Sequence, residues 1–220
     1  MLLAVSFALL DSVNVLLIGI VVAIGAFLPR SGRYGLIAFL LILGDWLGVF
    51  LLCIVVMVIF DGLGDLIQQF LDSPVFGIVL IVVGVASFIA TKLSRGDGNT
   101  EMIERFLAPV RRPSLLTVGA GLLLGLIQSA TSAPFYAGLA VLSAGDFSVA
   151  IRYGGLIIYA SLALSLPTIV AFLVGWVRAY PESPVGVLFD KAGQNKTALA
   201  KWAGYLVAIV LTIMGALALI

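Results

Sequence analysis

Apolar residues fill this chain in six long runs, and polar residues gather in the gaps between them. The runs cover about residues 2–28, 34–60, 75–91, 114–143, 153–177 and 202–220. A helix of about 20 residues crosses a hydrocarbon core of ~30 Å, and each run is of that order. The pattern predicts an all-α integral membrane protein with six transmembrane helices. In the gap after the second run, Leu63, Leu66, Ile67, Phe70 and Leu71 keep helical spacing while Asp65, Gln68, Gln69 and Asp72 face away. That reads as a helix lying in the interface, with Pro74 opening the third span. The 92–113 link begins with an SRGDGN turn and then carries one apolar face of Met102, Ile103, Phe106, Leu107 and Val110. No soluble domain fits in these gaps.

Polar residues inside the runs are the exceptions that carry information. Asp11 lies in the first run with Asn14 at i+3, and Asp45 lies midway along the second. A carboxylate near the bilayer centre costs about 2.5–3.5 kcal/mol on insertion scales, so it is seldom present for packing. Gln128, Thr131 and Ser132 share a face of helix 4 at i, i+3 and i+4, and Ser161, Ser165 and Thr168 form a stripe on helix 5. Asp11, Asp45, Gln128 and Ser165 all fall near the middle of their segments. The ordinary alternative is that such hydroxyls and amides only tie helices together, by bonds that average about 0.6 kcal/mol. Pro134 and Pro167 each remove a backbone hydrogen bond from helices 4 and 5, and freed backbone is tolerated only where it is buried in protein or lines a wet cavity. Helix 4 is expected to break near SATSAP.

The two halves of the chain echo one another. LLDSVN at 9–14 matches LIQSAT at 126–131, Arg33-Tyr34-Gly35 recurs as Arg152-Tyr153-Gly154, and IVLIVVG at 78–84 recurs as IVLTIMG at 209–215. Three spans per copy force the second copy to cross in the opposite sense, giving two inverted three-helix repeats with a binding site at their midplane interface. The chain is then one transmembrane domain: repeat one over 1–91, a cytoplasmic link over 92–113 and repeat two over 114–220.

Composition supports a bilayer rather than water as the solvent: 62% of residues are hydrophobic, 10% are charged and the mean hydropathy is +1.24. Eleven of the twelve Lys and Arg fall in the 1–2, 3–4 and 5–6 gaps, leaving Arg152 alone on the other side. The positive-inside rule makes those gaps cytoplasmic and places both termini outside. The first run lacks a basic leader and exceeds a signal-peptide core, so it is expected to remain in the mature chain. Tyr34, Trp176, Tyr180 and Trp202 are expected at the cytoplasmic interface. The single Cys53 has no disulfide partner and reads as a packing residue. There is no His, so a proton relay would run through carboxylates, water or substrate.

Gly44 with Gly48 and Gly121 with Gly125 form two GxxxG pairs, read as close packing within the bundle, with a homodimer left open. GLGD at 62–65 matches the tetrapeptide of intramembrane aspartyl proteases, but it falls in a gap and no Tyr-Asp pair supplies a second carboxylate. RGD at 95–97 and NKT at 195–197 fall on the cytoplasmic side and read as chance.

With LLDSVN in helix 1, GDWLG in helix 2, SATSAPFYAGLAVL in the second half and outside termini, the chain resembles the lysine-exporter superfamily. That group includes amino-acid exporters, cadmium-resistance transporters, actinobacterial glycolipid-addressing proteins and the membrane domains of disulfide-reductant carriers. GDWLG is similar to the cadmium-resistance branch and SAPFYAGLAVL to the glycolipid-addressing branch. Val15 stands where many relatives have Pro, so the resemblance gives no basis for a break in helix 1. The redox branch's first-helix Cys is missing from both repeats, which excludes electron transfer.

The residues then describe a secondary transporter, not an enzyme, with Asp11 and Asp45 binding a proton or cation. Asn14, Gln128, Thr131, Ser132 and Ser165 would shape the substrate site, beside breaks at Pro134 and Pro167. The resemblance adds an exporting direction and a bacterial plasma membrane. Expected partners are the lipid bilayer and a small solute, cation or lipid substrate, with no nucleic acid and no cofactor; whether a metal is carried is left open. The alternative is a protein that moves or presents a glycolipid with partner enzymes.

Overall fold

A continuous run of 29 residues without Pro, from Tyr34 to Gly62, forms the longest helix. The computed structural model describes residues 2–28, 32–63, 69–93, 113–145, 147–180 and 182–183, with Tyr205, Ile209, Thr212, Ile213 and Ala216 as isolated helical positions. Within these the elements are α1 (Leu2–Asp11), α2 (Val15–Phe27), α3 (Tyr34–Gly62), α4 (Pro74–Leu93), α5 (Leu115–Ala130), α6 (Ala133–Ala144), α7 (Val149–Ala163) and α8 (Ser165–Ala179). No strand occurs among the described residues. Among the described residues α3 alone is long and apolar enough to cross a membrane unaided. Up to four spans result if each bent pair counts as one: α1 with α2 at 45°, α5 with α6 at 76°, and α7 with α8 at 41°.

Three of the expected spans are therefore jointed. The joint in helix 4 falls at Thr131–Ser132, as SATSAP suggested. Helix 1 breaks too, at residues 12–14, without any proline. Its substitute is a cap: the Asn14 side-chain oxygen accepts from the Leu17 N–H at 2.8 Å and satisfies one of the four donors a helix start leaves open. The prolines also act differently from expectation. Pro134 and Pro167 lie in the first turns of α6 and α8, where a missing N–H costs no ladder bond, so they begin half-helices rather than interrupt whole ones. Because of the joints, Asn14 does not share a helical face with Asp11, nor does Ser132 with Gln128.

Glycines set the tightest contact. A Cβ at Gly44 would lie 2.1 Å from the Val118 carbonyl oxygen, at Gly48 2.3 Å from that of Leu122, at Gly121 2.1 Å from that of Leu41, and at Gly125 2.3 Å from that of Asp45. Both GxxxG pairs are thus consumed by α3 lying directly on α5, backbone to backbone. Registers 41 with 121 and 45 with 125 rise together, so the two helices run parallel. Between Gly62 and Leu115 the chain must return to the end where α3 began.

α3 runs antiparallel to α7 and α8. Tyr34 meets Ala171, Trp46 meets Ser161, and Asp61 meets Arg152. α1 is antiparallel to α6, with Phe7 against Gly138 and Asp11 against Ser132. One apolar core gathers Cys53, Met57, Phe135, Leu139, Leu156 and Tyr159; another gathers Leu17, Ile20, Ile37, Leu41, Leu124 and Val174. Trp46 packs against both. Large apolar side chains such as Phe39, Leu51, Val55, Ile158 and Phe172 point outward, the arrangement a hydrocarbon solvent favours. Tyr34, at the start of α3, is buried under the Arg178 guanidinium, which lies 5.4 Å from its ring centroid, and its hydroxyl donates to Ala171 O at 3.2 Å. Trp176 and Tyr180 are exposed.

Several expectations lie outside the described residues: positions 64–68 of the interfacial helix, nearly all of the 92–113 link, Trp202, the sequences RGD and NKT, and the sixth span apart from its five isolated positions. Tyr205 of that stretch lies against Phe88 of α4, the ring centroids 5.0 Å apart and the planes tilted by 42°.

Candidate intramembrane site

Two half-helix starts and one carboxylate meet at the joints. Asp11 ends α1, and the Ser132 hydroxyl donates to it from the N-cap of α6. The same hydroxyl oxygen accepts from the Phe135 N–H at 3.3 Å, so the carboxylate is coupled through Ser132 to the positive end of α6. Such a placement is worth up to ~2 kcal/mol when partly buried. Tyr159 completes this corner by donating to the Pro134 carbonyl at 3.2 Å.

Asp45 is held quite differently. It is 0% exposed, halfway along α3, and neither carboxylate oxygen has a hydrogen-bond partner. Its backbone lies directly against Gly125 of α5. One turn beyond Gly125, the Gln128 side-chain nitrogen is likewise enclosed and without a partner. An enclosed polar group with no partner costs about 1–3 kcal/mol, and more if charged. The sequence tolerates two of them within one small region.

The other candidate residues divide. Asn14 is spent on its cap. The Thr131 hydroxyl is exposed and bonds back to Ile127 O and Gln128 O, both at 3.1 Å. Ser165 is half-buried at the start of α8, with Pro167 buried behind it. Asp11, Asp45 and Gln128 remain as the groups whose polarity is not consumed by capping, and Ser132 joins Asp11 to the cap it makes on α6. Among the described residues no three acidic or cysteine side chains gather as a metal site. Cys53 is fully buried in the first core. Its replacement by Ala should leave folding and function intact at a cost of about 1 kcal/mol in thermal unfolding, and loss of function at normal expression would revive a thiol role.

A second polar cluster was not anticipated. Asp61, at the end of α3, accepts from Arg152 at 2.6 Å, from Tyr153 at 3.0 Å and from Ser143 at 3.4 Å. The signal was present in the sequence: Arg152 was expected to be the lone cation of its side, and the acid Asp61 closes the second apolar run. Tyr159 was also missed, although a tyrosine inside an apolar run needs a partner for its hydroxyl.

Comparison with protein-family models, with curated proteins and with solved structures finds no match to this chain.

Proposed function

We propose that this chain is a secondary membrane transporter whose cycle runs on the binding and release of a proton or other cation at Asp45, with Asp11 alongside. The observation that carries this reading is the Asp45 carboxylate, fully enclosed at mid-span with both oxygens unpartnered. A carboxylate so placed is stable only when neutralised, and a group that must be neutralised when enclosed, and is released when hydrated, is what coupling requires. Asp11 is already compensated by Ser132 and the α6 terminus, which gives the two acids unequal roles. A metal or alkali cation would draw further ligands from Ser132, freed carbonyls or water.

The six-span inverted repeat belongs to the same reading. Its support is that the joints at 12–14 and 131–132 fall on the LLDSVN and LIQSAT echo, and that α3 is parallel to α5 but antiparallel to α7 and α8. Those directions are the ones six alternating crossings give, with α4 supplying the return. Arg33 and Arg178 lie at one end of the α3 pair and Arg152 at the other, in keeping with a cytoplasmic Arg178 end and outside termini. Kinship with the lysine exporters, and with it an exporting direction, rests on the quoted motifs.

The test is flux in everted vesicles, offering a basic amino acid, a divalent cation and a fluorescent glycolipid. The reading expects accumulation of a solute or cation that collapses with the ion gradient and falls severalfold in Asp11→Asn. Gradient-independent movement of the glycolipid alone would favour the lipid-handling alternative.

A further inference from the structure

Polar ties close the α3 pair at both ends, and a joint divides its partner in the middle. At one end the Asp61 carboxylate uses both oxygens to hold Arg152 and Tyr153 of α7 and Ser143 of α6. At the other, Arg178 of α8 donates to the carbonyls of Gly25 and of Leu28, the latter at 2.9 Å, while its guanidinium covers Tyr34 and Tyr34 bonds to Ala171. Between these ends α7 and α8 meet at Leu164 with a 41° bend. Trp46, the neighbour of Asp45, reaches Ser161 at 3.2 Å just before that joint.

The two sides of α3 contrast. Against α5 it is fixed by backbone contacts that no side-chain rotation can release. Against α7 and α8 its described hydrogen bonds are side-chain ties, and the Asp61–Arg152 pair is about a quarter exposed, at 25% and 22%. Partly exposed pairs of this kind contribute little net stability and so can open and re-form. A rigid α3–α5 unit thus faces an arm with a hinge at the depth of the site and a separate fastener on each half.

We propose that the two fasteners are the gates of the transport cycle, the Asp61 cluster closing the path to Asp45 from one membrane face and the Arg178 cluster from the other. The conformation described here has both shut. Each half of the arm swings about Leu164 when its own fastener opens, and simultaneous opening would leave an unguarded path. The proposal rests on the transport reading above.

Access from each face tests it. In a Cys53→Ala background, Gln128→Cys serves as the reporter and a membrane-impermeant methanethiosulfonate is added to one side of oriented proteoliposomes. Asp61→Asn and Tyr153→Phe should raise the labelling rate by about tenfold from the Asp61 side only, and Arg178→Gln by a similar factor from the opposite side only. The charge swap Asp61→Arg with Arg152→Asp should return labelling toward the parent rate. Unchanged rates, rates that rise on both sides together, or a swap as fast as the single variants would overturn the gates. Because Tyr153→Phe removes one hydroxyl alone, it remains informative if the charge variants do not fold. Unchanged labelling beside intact Asp45-dependent currents would remove the gates and leave the transport reading; one-sided labelling without such currents would do the reverse.

Discussion

Asp45→Asn should reduce coupled transport to background while the protein folds as well as before or better. Asn keeps the shape of Asp and cannot carry the charge, so only the coupling chemistry is withdrawn. The parent carboxylate has no hydrogen bond to lose. Removing an unpartnered acid from an enclosed place should therefore leave the thermal midpoint unchanged or raise it, by an amount equivalent to ~1–2 kcal/mol. A gain in stability with a loss of function is what a residue retained for its chemistry gives. Asp11→Asn should act more mildly, since its partner Ser132 can still donate to the Asn carbonyl oxygen. Flux and thermal unfolding measured on the same preparations separate these effects, and wild-type flux from both variants would mean the carboxylates are structural.

The largest loss of stability should come from the α3–α5 seam. Gly44→Ala, Gly48→Ala, Gly121→Ala and Gly125→Ala each drive a methyl into a backbone oxygen at 2.1–2.3 Å. Backbone cannot turn aside as a side chain does, so the two helices must separate, at a cost of about 3 kcal/mol or more. Gly119→Ala and Gly154→Ala meet nothing within 4 Å and should be neutral or stabilising by ~0.5–1 kcal/mol. Thermal unfolding in detergent, with size exclusion to report folded protein, checks the contrast. Equal behaviour of the two groups would mean that the seam is looser than described.

What the sequence made legible was whatever depends on local pattern. The apolar run at 34–60 gave α3, Pro74 marked the start of α4, the polar stretch before Pro134 marked a joint, and the GxxxG spacing foretold close packing. The joint at 12–14 was missed because a proline was sought, whereas an Asn side chain can begin a half-helix equally well. The fate of individual hydroxyls was also hidden. Thr131 and Ser132 are neighbours with the same chemistry, yet one turns back onto its own helix and the other reaches Asp11 across 121 positions. Helical spacing cannot foresee this once the helix itself breaks between them. Asp61 with Arg152 is the complementary case, a pair 91 positions apart that charge alone could have joined.

Charge displacement on a solid-supported membrane tests the central claim most directly. A jump in pH, or in the concentration of sodium or a divalent cation, applied to proteoliposomes without further substrate should give a transient current with one of these ions as the site loads. The account predicts that this current is present in the wild type, reduced in Asp11→Asn and absent in Asp45→Asn. An Asp45→Asn protein that is folded and gives the full wild-type current would contradict it.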